Sequence, residues 1–203
     1  MDNKNYRAND IKTLDFKEHV WLRPKLYFQT CFDDNNLNSL ALEAFCPAID
    51  EYFDGNCSLL SLSINKNMFK IQYNAGMALT ESHGVTIAEL FMTKLMACKN
   101  EKKHLKVGEE FCHLGMATIN AVAEKCELNI SWNKQKGHFI FENGETIIRE
   151  ISYTDIEKNY TEMGFQMSKK IFGNLEFNFD DLQQKLNLLR KKLPNLKLEL
   201  NKL

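Results

Sequence analysis

Apolar residues along the chain change their spacing several times, and each change marks an element. Leu37, Leu40, Ala41, Ala44, Phe45, Ala48, Ile49 and Phe53 recur at helical spacing, which predicts one long helix over 36–53 with a single buried face. Gly55-Asn56 supplies its stop. The period then drops to two, so 58–64 and 68–73 read as strands on either side of a turn at 65–67. A helix over 87–97, a charged loop over 99–109 and a helix over 114–125 follow. Three strand-like runs come next, 127–132, 138–142 and 147–153, punctuated by Lys-Gly and Asn-Gly turns. A strand over 165–171, a helix over 179–193 ended by Pro194, and a strand over 196–200 complete the chain. Runs of strands with a few helices predict an α+β two-layer α/β sandwich. Residues 1–17 are polar and read as an N-terminal arm before a single domain over 18–203.

Composition narrows the class. At 203 residues the chain is long enough for one domain with a substantial core and short for two. A formal net charge of -1 offers no general attraction to DNA or to anionic lipid. Lysines cluster over 99–106 and 185–202, but acids are interspersed; this is the pattern of a solvated face, and DNA binding is not expected of it. No apolar stretch reaches the ~20 residues that cross a bilayer and no signal-peptide pattern opens the chain, which points to the cytoplasm. The six cysteines contain no C-x-x-C pair and the five histidines lack ligand spacing. In such a chain the cysteines read as small buried residues, and no metal site is expected.

Several short motifs carry a resemblance. Glu43 opens the run Glu-Ala-Phe-Cys-Pro-Ala-Ile-Asp-Glu; Tyr6 and Ile11-Lys12-Thr13-Leu14 precede it, with Arg23-Pro24-Lys25-Leu26-Tyr27-Phe28 between them. Downstream come Lys106-Val107, Asn120-Ala121-Val122, Phe141-Glu142-Asn143-Gly144 and Gly164. In order and spacing these resemble the ATP-binding domain of the DNA gyrase B protein and its type II topoisomerase relatives, the GHKL (Bergerat-type) superfamily. The resemblance covers nearly the whole chain. It implies a two-layer sandwich with a mixed, mostly antiparallel sheet and helices on one face.

The resemblance also assigns roles, and many are not filled. Hydrolysing ATP needs a base that orients water, a metal that neutralises phosphate charge, and donors around the γ-phosphate. Glu43 stands at the position of the base; read without the family, it is a surface glutamate of a helix. Pro47 stands where the family has the asparagine that holds magnesium, and a proline offers no side-chain oxygen to a hard cation. Inside a helix Pro47 would also cost about 3 kcal/mol by leaving the Glu43 carbonyl unpaired. Asp50 and Glu51 are retained. The family's Asp-x-Gly-x-Gly, whose Asp meets the adenine amino group, is replaced by Tyr73-Asn74-Ala75-Gly76-Met77. Gly76 replaces the arginine that pairs with the glutamate at position 51. Gly164-Phe165 replaces Gly-Thr beside the adenine, so Tyr73, Met77 and Phe165 are expected to fill the adenine slot. The glycine-rich lid, which brings backbone amides close to phosphates, becomes Glu109-Glu110-Phe111-Cys112-His113-Leu114-Gly115, where only Gly115 remains. The family's γ-phosphate lysine belongs to a following transducer domain, before which this chain ends.

Two functions follow as expectations. The first is a degenerate, gyrase-B-like pseudo-ATPase that has lost ATP binding and hydrolysis and acts as a binding or regulatory module, with no ATP or magnesium cofactor. Its partner would be itself or a gyrase B-type protein, reached through the arm that carries Tyr6 and Ile11. The alternative is a divergent domain that still binds and hydrolyses ATP with magnesium, as Glu43, Asp50 and Gly115 would support.

Overall fold

The alternation of apolar and polar residues builds a sheet with one dry face and one wet face. The computed structural model describes residues 13–95, 103–108, 111 and 114–203. Its strands, in chain order, are β1 (Leu59–Asn65), β2 (Met68–Tyr73), β3 (Glu81–Ser82), β4 (Val85–Thr86), β5 (Ala123–Trp132), β6 (Gln135–Glu142), β7 (Glu145–Tyr153), β8 (Tyr160–Met167) and β9 (Lys197–Lys202). Seven of them form one sheet in the order β7-β6-β5-β8-β2-β1-β9, and β3 with β4 makes a separate two-residue hairpin. Every pair in the large sheet is antiparallel except β1 with β9. Side chains alternate across a strand, so the register stacks buried residues into rows. One row runs Leu62, Ile71, Met163, Leu128 and Phe139 across five strands. Between those positions lie Ser63, Lys70, Gln72, Glu162 and Asn129 on the wetter face.

The helices cover the dry face. They are α1 (Phe16–Leu22), α2 (Pro24–Tyr27), α3 (Gln29–Asp33), α4 (Asn38–Glu43), α5 (Cys46–Phe53), α6 (Ile87–Thr93), α7 (Met116–Ala121), α8 (Lys169–Phe172) and α9 (Phe179–Lys192). Leu40 and Ala41 of α4, Ile49 of α5, Ile119 of α7 and Leu186 of α9 join the strand residues in one continuous core. The expected α+β sandwich, with its mixed and mostly antiparallel sheet, is the fold observed.

Several local expectations are corrected. The single helix over 36–53 is two helices, broken at Ala44-Phe45. Pro47 therefore lies in the first turn of α5, where its missing N–H leaves no gap in the ladder. The Glu43 carbonyl is not orphaned either, because the Cys46 thiol donates to it at 2.8 Å; the expected cost of an interior proline does not arise. The helix over 114–125 ends at Ala121, and β5 starts two residues later, since the alternation from Cys126 to Ile130 extends the strand backwards. The turn between β5 and β6 is Asn133-Lys134, both at positive φ, which places Gly137 inside β6. The strand over 165–171 spans Tyr160–Met167 and gives way to α8. The arm assigned to 1–17 overlaps α1, whose capping box of Asp15 and Glu18 starts the helix at Phe16. The loop over 99–109 contains a 3-10 helix at Lys103–Val107. Tyr6 and Ile11 of the arm, and Glu109, Glu110, Cys112 and His113 of the lid, lie outside the described residues.

Candidate functional site

A cavity of about 650 Å³ opens between the first turns of α5, the segment after β2, the first turns of α6 and the end of β5. Pro47, Asp50, Tyr73, Ala75 and Ala88 are its buried lining; Asn56, Ile87 and Asn159 are exposed around it. Five of the residues singled out from the sequence line it: Pro47, Asp50, Tyr73, Gly76 and Met77. Glu43, Gly115 and Phe165 do not.

Tyr73 ends β2, where the register sets it beside Leu60 of β1 and Thr161 of β8. Its side chain is buried, and burial pushes the phenol far above its ordinary pKa, an effect that the nearby Thr161 hydroxyl offsets only in part. The phenol oxygen has no partner at hydrogen-bonding geometry among the described residues. Thr161 donates instead to the Ala75 carbonyl at 2.8 Å and so pins the segment that leaves β2. Asn74 fixes the same segment from the other side. Its Oδ1 accepts from the backbone N–H groups of Ser58 and Leu59, both at 2.9 Å.

Gly76 is held against β5. A Cβ there would lie 2.6 Å from the Ser131 carbonyl oxygen and 2.9 Å from the Trp132 Cβ. No side chain fits this backbone, so the arginine that the resemblance expects has no room. Glu51 is not left bare by that loss: it accepts from Asn56 Nδ2 at 2.9 Å. The expectation that Phe165 fills the adenine slot is overturned. Tyr73 and Phe165 are separated by four residues of register on β8, and Phe165 stacks on Phe69 with ring centroids 4.7 Å apart. Thr161 is the β8 residue opposite Tyr73.

Asp50 is buried and already occupied. It accepts from the His104 backbone N–H at 2.8 Å, and its two oxygens lie 2.9 Å from His104 Nδ1. Lys103 adds an ion pair with Asp54 at 2.5 Å. Together they clasp the 3-10 helix to α5. Glu43 faces elsewhere. At 3% exposure, its Oε2 accepts from the Leu114 N–H at 2.8 Å, and it lines a second cavity between α2, α3 and the lysine-rich face of α9. Reading it as a surface glutamate is corrected by that burial. Gly115 caps α7 in an extended conformation (φ -81°), with nothing within 4 Å of a Cβ placed on it. The chain geometry does not demand a glycine there.

The lysines of the C-terminal run are partly engaged: Lys185 bridges Asp34 and Asp181, and Lys192 donates to the Val107 carbonyl and covers the Phe111 ring. Cys31, Cys46, Cys57 and Cys126 are buried free thiols. Among the described residues no cluster of three His, Cys, Asp or Glu side chains is placed to hold a metal, and no helix is long and apolar enough to cross a membrane.

Sequence reasoning missed Thr161, His104, Phe91 and Trp132. His104 gave no signal in a lysine-rich loop. Trp132 did, as one of only two tryptophans, placed where a strand meets a turn.

The chain is 33% identical over 196 residues to the gyrase B protein of Rickettsia typhi, covering 91% of this chain and 24% of that protein. It is 28% identical over 195 residues to the gyrase B protein of Archaeoglobus fulgidus, covering 91% of this chain and 30% of that protein. It thus spans about a quarter of the length of these curated relatives. No family model matches it. Among solved structures, the 43K ATPase domain of Thermus thermophilus gyrase B, in complex with an aminocoumarin, superposes with a TM-score of 0.72 at 19% identity. The match covers 92% of this chain and 48% of that one.

Proposed function

Because this chain is a gyrase B-like domain of the GHKL type, we propose that it is a degenerate ATPase domain which neither binds nor hydrolyses ATP and works as a binding or regulatory module. One observation carries the reading. Pro47, at the position the resemblance gives to the magnesium ligand, lines the large cavity and offers no oxygen to a cation. Its neighbours support the same reading. Tyr73 replaces the adenine-binding aspartate with a neutral, buried phenol. Glu43, at the base position, holds the Leu114 amide and lines a different cavity. A magnesium nucleotide does not suit residues of this kind, and no catalytic step is assigned to them.

A thermal-shift titration with ATP, ADP and a non-hydrolysable analogue, with and without magnesium, tests the loss. A ligand that binds the native state raises Tm by mass action, and no shift at millimolar nucleotide is expected. A magnesium-dependent shift would restore the ATPase reading. The module would act in the cytoplasm on a second copy of itself or on a gyrase B-type protein, through the arm that carries Tyr6 and Ile11. Light scattering on the chain, alone and mixed with gyrase B, should report a complex; monomers throughout would sink the partner.

A further inference from the structure

We propose that Arg149 is a two-position latch, which ties the edge of the sheet either to the hairpin β3–β4 or to α6, a wall of the large cavity. The device is built into the fold and holds whether or not a nucleotide binds. Three observations around one guanidinium carry it.

The first is reach. Arg149 stands on β7, opposite Phe139 of β6, and meets two elements far from it in sequence. Its Nη1 donates to the Gly84 carbonyl at 2.7 Å and its Nη2 to the Glu81 carboxylate, so two arms hold the hairpin. Its Nε lies 3.7 Å from Oε2 of Glu89, in the first turn of α6. That is within ion-pair range but beyond a hydrogen bond. The second is the state of the two carboxylates. The Glu81 side chain is 56% exposed and paired. The Glu89 side chain is 12% exposed, and its Oε2 has no hydrogen-bond partner among the described residues. The guanidinium thus serves the acid that water can solvate and neglects the one that water reaches poorly. An unpaired buried acceptor is costly, whereas an exposed ion pair contributes little. Moving towards Glu89 therefore gains at the buried end what it gives up at the exposed end, which is the condition for two populated positions.

The third is what each position holds. The hairpin has two residues in each strand, and 81–84 are exposed. In α6, Ala88 and Met92 are buried in the core, and Asn120 donates to the Met92 carbonyl at 3.0 Å. Glu89 sits among Ile87, Ala88, Leu90 and Phe91, which line the cavity. In one position the latch fixes the hairpin and leaves the first turn of α6 to its core contacts. In the other it draws that turn towards β7 and releases the hairpin. The wall of the cavity is coupled in this way to the edge of the sheet.

NMR on the whole chain tests this. Arg149 is one of four arginines, and its Nε–H signal is assigned by its disappearance in Arg149→Lys. In Glu81→Gln the latch should move to Glu89. Solvent exchange of the Arg149 Nε–H then slows by about threefold, the Leu90 and Phe91 amide signals shift, and the amides of 81–86 exchange faster. In Glu89→Gln the signs reverse: the Nε–H exchanges faster and the amides of 81–86 exchange more slowly. Signals of β1, remote from β7 in the sheet, should stay in place in both variants, which shows that the fold is kept. Unchanged exchange in both variants, or changes of one sign in both, would mean a fixed clamp and overturn the proposal. Displaced β1 signals would overturn it too, by showing that the pairs hold up the fold instead of choosing between two positions.

Discussion

Two rows of the same sheet end in opposite ways. At one end Ile64, Phe69, Phe165, Cys126 and Phe141 lie side by side across five strands, all buried, with Phe69 and Phe165 stacked. At the other, Leu60, Tyr73, Thr161, Ile130 and Gly137 occupy the equivalent row. There a phenol is unpartnered among the described residues, Gly137 admits Leu79 (2.7 Å from a Cβ placed on the glycine), and the cavity opens. The strands and their periodicity are common to both rows. What differs is whether the side chains fill the space beside the strands or leave a cavity there. Close packing makes the first end costly to alter; the second borders the cavity that Pro47, Tyr73 and Gly76 line.

The sharpest way to break this comparison is to damage the packed end alone. Phe165→Ala should cost about 3–5 kcal/mol by urea unfolding. A small loss would mean that the aromatic row is not the anchor of the sheet. A comparable effect comes from pH. Burial raises the thiols of Cys31 and Cys57 from 9.0 to about 11. Below pH 9 both folded and unfolded chains hold these protons, so their contribution is intact. As pH rises from 9 towards 11 only the unfolded chain ionises, and stability falls by roughly 2–3 kcal/mol per thiol. Cys57 lies just before β1, and Cys57→Ala should flatten part of that fall; if it does not, water reaches the Cys57 thiol in the folded chain.

Gly76→Ala probes the tight contact at the rim. With the Ser131 carbonyl oxygen 2.6 Å from the new Cβ, backbone must shift, and about 1–3 kcal/mol of destabilisation is expected. A neutral result would mean that the segment after β2 yields freely. The smallest effect has the opposite sign. Tyr73→Phe removes a hydroxyl that has no partner among the described residues and should stabilise the chain by about 1 kcal/mol. A loss of stability would show that the phenol is satisfied within the fold and that the two rows are more alike than their packing implies.

Sequence by itself determined the fold class, the succession along the chain of the seven strands of the large sheet, and α9, because alternation and helical spacing are local consequences of which side of each element meets water. That Pro47 offers no side-chain oxygen and Gly76 no side chain was equally visible, since each is a property of the residue alone. The short helices α1 to α3 escaped because elements of 4 to 7 residues carry too few turns to show a period, although the capping box at Asp15 was there to be read. Only the tertiary structure decided the rest. Whether Pro47 kinks a helix or begins one depends on a break two residues earlier; whether Phe165 or Thr161 faces Tyr73 depends on strand register, which shifts by pairing and not by composition. That Asp50 is held by His104, and Glu43 by the Leu114 amide, depends on contacts spanning 54 and 71 residues. Spacing along the chain carries no trace of such contacts, because they form only when separate elements pack on one core.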